Sequence, residues 1–212
     1  MSNSRVDSEV YLASTEYSVG QFFASFISQQ QTLETIRDEL DQIERAKQIQ
    51  HDVFVDRDQW SPSANYYYVQ YMQRLQTLTA KSNHLGTDDQ SQIQTALTRI
   101  GATDEAMAVI AGAVLQLAKQ VLSFRFGPKS SLPTSRLVGS QHLTELIWEG
   151  RNHSMHWEEN SSKMPVDAML QTLAKNFGLT LLPNKNHAWT ILSAIKWKTS
   201  NDALDELKKL IQ

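Results

Sequence analysis

The sequence contains no cysteine in its 212 residues and few of the residues that interrupt regular structure. The missing cysteines exclude disulfide bonds, thiolate metal sites and a cysteine nucleophile. Only eight glycines and five prolines are present, so long helices are expected, with breaks where these residues cluster. There is no run of about 18 apolar residues, so no transmembrane helix is expected. The first residues lack the apolar core of a secretory signal, which makes a cytoplasmic location the expectation.

A basic excess is also missing, since 20 lysines and arginines face 23 acidic residues and the formal net charge is -3. This balance argues against a protein that coats DNA nonspecifically, because such binding needs a basic face. It leaves room for a small basic site that holds one phosphate. The sequence has neither a Gly-rich phosphate loop of the Walker type nor a Gly-x-Ser-x-Gly elbow. ATP hydrolysis and hydrolase chemistry of those two kinds are therefore not indicated.

What the sequence does contain is helical periodicity along nearly its whole length. This pattern predicts a single all-α domain over residues 1–212. Its parts are a long N-terminal helical hairpin in residues 1–85, central helices in residues 88–159 and C-terminal helices in residues 165–212.

Apolar residues at spacings of three, four and seven predict one long helix from about Thr15 to about Val53. Ser61–Pro62 is typical of a helix start, and it predicts a second helix that ends near Leu85–Gly86. These two helices form the predicted hairpin. The apolar seam of the first helix consists of Phe22, Phe26, Leu33, Ile36, Leu40 and Ile43.

In the central part, Gly101 is predicted to end a short helix and Thr103 to cap the next one. That next helix, Asp104–Phe126, is apolar around much of its circumference, which predicts the buried central helix. Gly127–Thr134 is the clearest predicted loop, and another helix is expected to begin near Ser140. In the last part, Pro165 is predicted to open a helix that Gly178 ends, and two closing helices follow.

The most informative segment is Arg151-Asn152-His153-Ser154-Met155-His156, at the end of an apolar helix-forming run. It combines a permanent cation, an amide and two imidazoles. Arginine binds phosphate with a planar fork of donors, and histidine transfers protons near neutral pH. This combination indicates phosphodiester chemistry.

Helix geometry selects three residues of this segment as candidate catalytic residues. Arg151 is expected to bind the phosphate, His156 to transfer protons and Asn152 to position both groups. Trp148, Asn152 and His156 follow one another at intervals of four and share one helix face. A single histidine does not easily act as both acid and base in one step. Two copies of the segment across a twofold axis would supply both, so a homodimer is predicted. Supporting roles are assigned to His153, Trp148 and Glu149.

Arg151, Asn152 and His156, with four residues between the arginine and the histidine, resemble the motif of the HEPN superfamily (higher eukaryotes and prokaryotes nucleotide-binding). The resemblance covers roughly Asp104–Glu159, and the N-terminal hairpin only by architecture. It implies a helical-bundle homodimer with a composite active site. It also implies a metal-independent endoribonuclease whose products carry a 2′,3′-cyclic phosphate. Such proteins often serve as toxins or anti-phage effectors, so an RNA substrate and an antitoxin or regulatory partner are expected, without a cofactor or a membrane.

Other interpretations of these residues remain open. The alternative interpretation of the whole chain is a non-catalytic helical dimer that binds a partner protein or a nucleotide. Glu149, His153 and His156 recur at spacings that would allow one metal ion to be held, although no metal is predicted. His153 is expected to face solvent or to support the catalytic residues.

The surrounding aromatic and basic residues also have two interpretations each. Trp148 and Trp157 are expected in a core or a dimer interface, with base stacking as the alternative. Tyr66–Tyr68 and Tyr71 are expected to be packing residues at helical spacing, again with base stacking as the alternative. Lys119 and Arg125 either supply positive charge near the motif or form a solvated helix end.

Overall fold

The computed structural model describes residues 3–55, 89–159, 164–182 and 185–212. In these residues the all-α class is confirmed. The second arm of the predicted hairpin and the tyrosines at 66–68 and 71 lie outside the described residues. The described helices are α1 (Asn3–Val55), α2 (Asp89–Phe126), α3 (Leu143–His156), α4 (Met164–Phe177), α5 (Ala188–Ile195) and α6 (Ser200–Ile211). The strands β1 (Leu137–Val138) and β2 (Gln141–His142) form a small antiparallel pair, and single 3-10 turns occupy Lys129–Ser131 and Trp157–Glu159.

The chain forms two compact units, and α1 and α2 contribute residues to both. One unit combines Met1–Gln30 with Asp104–Gln212, and the other is Gln31–Thr103. All candidate site residues belong to the first unit. The described part of the second unit buries Leu33, Ile36 and Ala96, and an ion pair of 3.0 Å joins Arg99 to Glu39.

Helix α1 begins earlier than the predicted start near Thr15. Within the first unit its buried residues recur at spacings of three, four and seven, as expected for a helix with one face in a core. Phe23, and not the predicted Phe22, is the phenylalanine that is nearly fully buried at this point. The buried residues described in this part of α1 are Ser8, Leu12, Thr15, Val19, Phe23 and Phe26.

Helix α2 is continuous, so the predicted break at Gly101 and the predicted cap at Thr103 are wrong. Glycine costs only about 1 kcal/mol in a helix interior relative to alanine, and Gly101 is exposed. The Thr103 hydroxyl donates instead to the Arg99 carbonyl one turn back, at 2.8 Å. The glycine therefore stays inside the helix, and the threonine satisfies its hydroxyl within α2.

The C-terminal part of α2 is the predicted central helix of the first unit. Ala111, Leu115, Val121 and Leu122 are completely or almost completely buried. By length and composition alone, Ser91–Phe126 is also apolar enough to cross a membrane. The buried core helix of a globular unit has the same properties.

Helix α3 begins at Leu143, three residues after the predicted start, because a hairpin occupies the preceding residues. Gly139 turns this hairpin with a φ of 64°, and its strands are only two residues long. The start of α3 is fixed by Ser135, whose hydroxyl oxygen accepts the Thr144 amide at 3.1 Å. A serine oxygen on an early helical amide satisfies a donor that has no partner inside the helix.

The C-terminal helices complete the core of the first unit. Gly178 follows α4 with a φ of 63°, which confirms the predicted helix end, since glycine adopts this left-handed conformation without a side-chain penalty. Thr199 caps α6 through a reciprocal pair of hydrogen bonds with Asp202. The apolar residues of α5 that are fully buried or nearly so are Ala188, Ile191, Leu192 and Ile195.

Arg136, Glu206 and Trp197 form a second polar feature of this unit, here called the Arg136 cluster. Arg136 forms a bidentate ion pair with Glu206, and the same guanidinium donates to the Ile195 carbonyl at 2.8 Å. The Trp197 indole donates to Glu206 at 2.7 Å. One cation and one carboxylate are thus matched, and they tie α6 to the end of α5 and to the segment before β1.

Candidate functional site

Helix α3 carries the predicted motif, and its two faces differ. Leu143, Leu146, Ile147 and Gly150 are fully buried or nearly so, and they recur at helical spacing. Arg151 and the residues opposite them are half-buried or exposed. Apolar packing of one face therefore presents the other face with its polar side chains toward the surface.

Two glycines let the neighbouring helices approach the motif closely. A Cβ atom at Gly150 would lie 3.1 Å from Ile191 and 3.2 Å from Leu115. A Cβ atom at Gly112 would lie 3.0 Å from the Ser154 Cβ. These contacts are tighter than ordinary packing, so α2, α3 and α5 meet at the position of the motif because these positions lack side chains.

Arg151 is held by a residue of α2. Its Nε–H donates to the Gln116 side-chain oxygen, and its Nη1 donates to the Asn152 side-chain oxygen at 3.5 Å. The first bond leaves the outer edge of the guanidinium available for a planar acceptor such as a phosphate. The predicted pair Arg151 and Asn152 is thus brought together, with Gln116 as a third member.

Glu149 continues this chain of hydrogen bonds on the other flank of α3. It is 6% exposed, it forms an ion pair with Lys129, and it accepts from Asn152 Nδ2 at 3.4 Å. Because Nδ2 points at a carboxylate, the Asn152 oxygen points toward Arg151. Glu149 therefore orients Asn152, and Lys129 of the predicted loop neutralises Glu149.

Lys119 is the second cation beside Arg151. Its ammonium lies 4.5 Å from the centre of the Trp148 ring, within the range of a cation–π contact. Burial and the nearby charge of Arg151 lower the pKa of Lys119, while Glu149 acts in the opposite direction. Trp148 is therefore half-buried against a lysine.

These contacts define the Arg151 cluster, which comprises Gln116, Lys119, Lys129, Glu149, Arg151 and Asn152, with Trp148 beneath Lys119. It contains three cations and one carboxylate, which already pairs with Lys129. In the part of the chain that the structure describes, neither Lys119 nor Arg151 forms an ion pair with a carboxylate. An excess of positive charge at an accessible helix face favours an anion.

His156 is the last residue of α3 and is exposed. It follows Arg151 by five positions, which on an α-helix corresponds to about 140° of rotation and about 7.5 Å of rise. The two predicted catalytic side chains therefore leave α3 in different directions. Asn152 lies between them around the helix.

His153 is buried, so the expectation that it faces solvent is wrong. Its Nε2 accepts the backbone amide of His187 at 2.9 Å, and the two rings stack with centres 5.6 Å apart. His187 Nε2 lies 2.9 Å from the Leu182 carbonyl oxygen. His153 thus anchors the start of α5 to α3, and its position toward the core follows from its spacing of three from Gly150.

Two further predictions concern Arg125 and a metal ion. Arg125 donates to the Ile211 carbonyl at 2.9 Å, so it fastens the end of α6.

Of the residues considered as metal ligands, Glu149 forms an ion pair with Lys129, and His153 uses Nε2 as an acceptor. Within the described ranges, no group of three or more histidine, aspartate or glutamate residues is arranged to hold a metal ion.

Gln116 and Lys129 were not predicted to belong to the site. Neither stands in a motif, and they reach α3 from positions 35 and 20 residues away from their partners. The only signal in the sequence was their placement on the central helix and in the clearest loop.

No family model matches this chain, and comparisons with curated proteins and with solved structures also give no match.

Proposed function

We propose that this protein is a metal-independent endoribonuclease of the HEPN type, active as a homodimer. The observation that carries the proposal is the Arg151 cluster, in which an oriented arginine and an adjacent lysine face outward without a carboxylate of their own. In RNA cleavage the neighbouring 2′-hydroxyl supplies the nucleophile. The protein must then move two protons and stabilise charge on phosphorus.

Each motif residue has a role in this reaction. Arg151 binds the phosphate and stabilises the added negative charge of the transition state. Asn152, held by Glu149, keeps the guanidinium in place. His156 removes a proton from the 2′-hydroxyl or donates one to the leaving 5′-oxygen, depending on which copy of the motif it belongs to.

The geometry of α3 supports a composite site. Since Arg151 and His156 point about 140° apart on one helix, the long arginine side chain must bend for both groups to reach one phosphate. A second copy related by a twofold axis would bring its own His156 to that phosphate as well, so that one histidine serves as the base and the other as the acid. The exposed face also carries apolar surface, since Met155 is 59% exposed and follows Trp148 by seven residues on the same face.

The test is cleavage of purified cellular RNA in EDTA by wild type, Arg151→Ala and His156→Ala. Each substitution is expected to lower the rate by about 100-fold or more, as is typical for the loss of a charge-stabilising or proton-transferring group. Lys175→Gln, on the surface of α4, is the control and is expected to cleave at the wild-type rate. The proposal fails if the wild type does not cleave RNA, or if all four proteins cleave it equally.

A second candidate function is a non-catalytic dimer that binds a partner protein or a nucleotide. The observation that favours it is the set of hydrogen bonds that already engages Arg151 and Asn152 inside the chain. This candidate predicts self-association without RNA cleavage and no growth defect on expression. Toxicity on expression that His156→Ala relieves would contradict it.

The protein is further proposed to act as a toxin or a defence effector that an antitoxin or another regulator restrains. Uncontrolled RNA cleavage would harm the host cell. Expression of the wild type alone is therefore expected to stop growth, and normal growth with full RNA cleavage would contradict this proposal.

A further inference from the structure

Lys119 lies on a different helix from the motif, yet the charge of the motif arginine acts on its ammonium. It follows Gln116 by three residues, so the two side chains leave the same face of α2. Gln116 holds Arg151, and Lys119 lies over Trp148 of α3. One face of α2 therefore supplies both the acceptor that fixes Arg151 and a second positive charge.

This arrangement keeps two like charges close at an energetic cost. Both burial and the charge of Arg151 disfavour the charged form of Lys119 and lower its pKa. The single carboxylate of the cluster, Glu149, pairs with Lys129 and not with Lys119 or Arg151. In the Arg136 cluster, by contrast, the guanidinium and the carboxylate pair with each other.

A bound phosphate would remove this repulsion, because it places negative charge between the two cations. Arginine then contributes a planar fork, and lysine contributes a compact point charge. The cation–π contact with Trp148 already holds the ammonium in place, which reduces the side-chain freedom that the lysine loses on binding.

We propose that Lys119 and Arg151 together form a phosphate-binding site for the backbone of a single-stranded nucleic acid, with Trp148 positioning Lys119. This assignment rests on the proposed function and names a substrate contact of the same site. Lys119 binds the phosphate group itself, so its contribution does not depend on the base sequence.

The test measures binding to a fluorescein-labelled strand of about ten deoxythymidines, which lacks the 2′-hydroxyl and cannot be cleaved through it. Fluorescence anisotropy at several salt concentrations gives the Kd and its salt dependence. Lys119→Gln is expected to weaken binding by about five- to tenfold and to lower the salt slope by about 0.7, the value for one single-strand phosphate contact. Lys119→Arg keeps the charge and is expected to retain most of the affinity.

Lys175→Gln is the matched control, because it removes the same charge from another helix. Asn176 donates to Ser140 at 2.9 Å, which places this end of α4 near the residues that precede α3 and away from the motif. Circular dichroism of each variant confirms the fold. The assignment is overturned if the wild type does not bind the strand, or if Lys119→Gln and Lys175→Gln bind equally.

RNA cleavage by the same proteins separates this assignment from the nuclease. If none of them cleaves RNA but Lys119→Gln alone weakens strand binding, the phosphate site stands and the nuclease fails. If the wild type cleaves RNA and Lys119→Gln binds and cleaves as the wild type does, the nuclease stands and the role of Lys119 is refuted.

Discussion

The Arg136 cluster and the Arg151 cluster are built from the same kinds of side chain, but their charges are balanced differently. In the Arg136 cluster one guanidinium meets one carboxylate in a bidentate pair, and an indole and a carbonyl complete it. The Arg151 cluster has three cations and one carboxylate, which pairs with Lys129, and the guanidinium is held by a neutral amide. The first arrangement is complete without a ligand, whereas the second has charge left for one.

The role of an arginine in this protein depends on the groups that its guanidinium contacts. A guanidinium that is paired with a carboxylate ties helices together. A guanidinium that is oriented by an amide, next to another cation, keeps its affinity for an anion. Changes in the Arg136 cluster should therefore lower the free energy of unfolding and leave anion binding unchanged. Changes in the Arg151 cluster should weaken anion binding and affect the free energy of unfolding less.

The largest expected effect on stability comes from Arg136→Leu. This change leaves Glu206 with a charge that has lost its main partner in a partly buried position, and it is expected to lower the free energy of unfolding by about 2–3 kcal/mol. Urea unfolding measures this loss. Binding of the deoxythymidine strand by the folded variant should remain at the wild-type level, and weaker binding would break the separation between the two clusters.

A smaller effect on stability is expected from acid. Burial acts to raise the pKa of Glu206, but hydrogen bonds from Arg136 and Trp197 outweigh it and the pKa is lowered from 4.5. The folded pKa lies below the unfolded one, so this stabilisation is complete above the unfolded pKa and is lost as the pH falls through the folded pKa.

Urea unfolding at about pH 6 and about pH 3.5 measures this loss on either side of the ordinary glutamate pKa. Glu206→Gln, which has no carboxylate to titrate here, is the control. Its free energy of unfolding should change less between these two pH values than that of the wild type. An equal change in both proteins would show that Glu206 contributes nothing to acid sensitivity.

The smallest expected effect comes from Gln116→Met, which removes the acceptor that orients Arg151 but keeps the size of the side chain. RNA cleavage is expected to fall by about tenfold, because the guanidinium loses its fixed direction. Gln94→Met, at an exposed position of the same helix, is the control. The readout that a general loss of packing would not reproduce is the Arg151 Nε–H signal in NMR. Its exchange with water should become faster in Gln116→Met alone, and an unchanged rate would refute the positioning role.

Much of the fold could be predicted from the sequence because it depends on local periodicity. The C-terminal part of α2 and the boundary at Gly178 follow from apolar spacing and from a residue that favours a left-handed turn. The continuity of α2 through Gly101 could not be predicted, since a cost of about 1 kcal/mol is easily outweighed in a long packed helix. The hairpin before α3 has strands of two residues, which is too short for an alternating pattern.

Of the candidate site, only the residues that lie on α3 could be predicted from the sequence. Arg151 and Asn152 stand next to each other in the sequence, and helix geometry places them on neighbouring positions. Gln116, Lys119 and Lys129 come from another helix and a loop, and local periodicity does not reveal which of their faces meets α3. The burial of His153 could have been predicted from the sequence, because Leu146 and Gly150 precede it by seven and three positions on the same helix face.

RNA cleavage through the 2′-hydroxyl is measured most directly with two oligonucleotides of identical sequence in EDTA, one of RNA and one with 2′-deoxyribose throughout. The wild type is expected to cleave only the RNA and to leave 2′,3′-cyclic phosphate ends. Arg151→Ala and His156→Ala are expected to leave both strands intact. Cleavage of the deoxy strand, or equal RNA cleavage by the wild type and His156→Ala, would contradict the proposed mechanism.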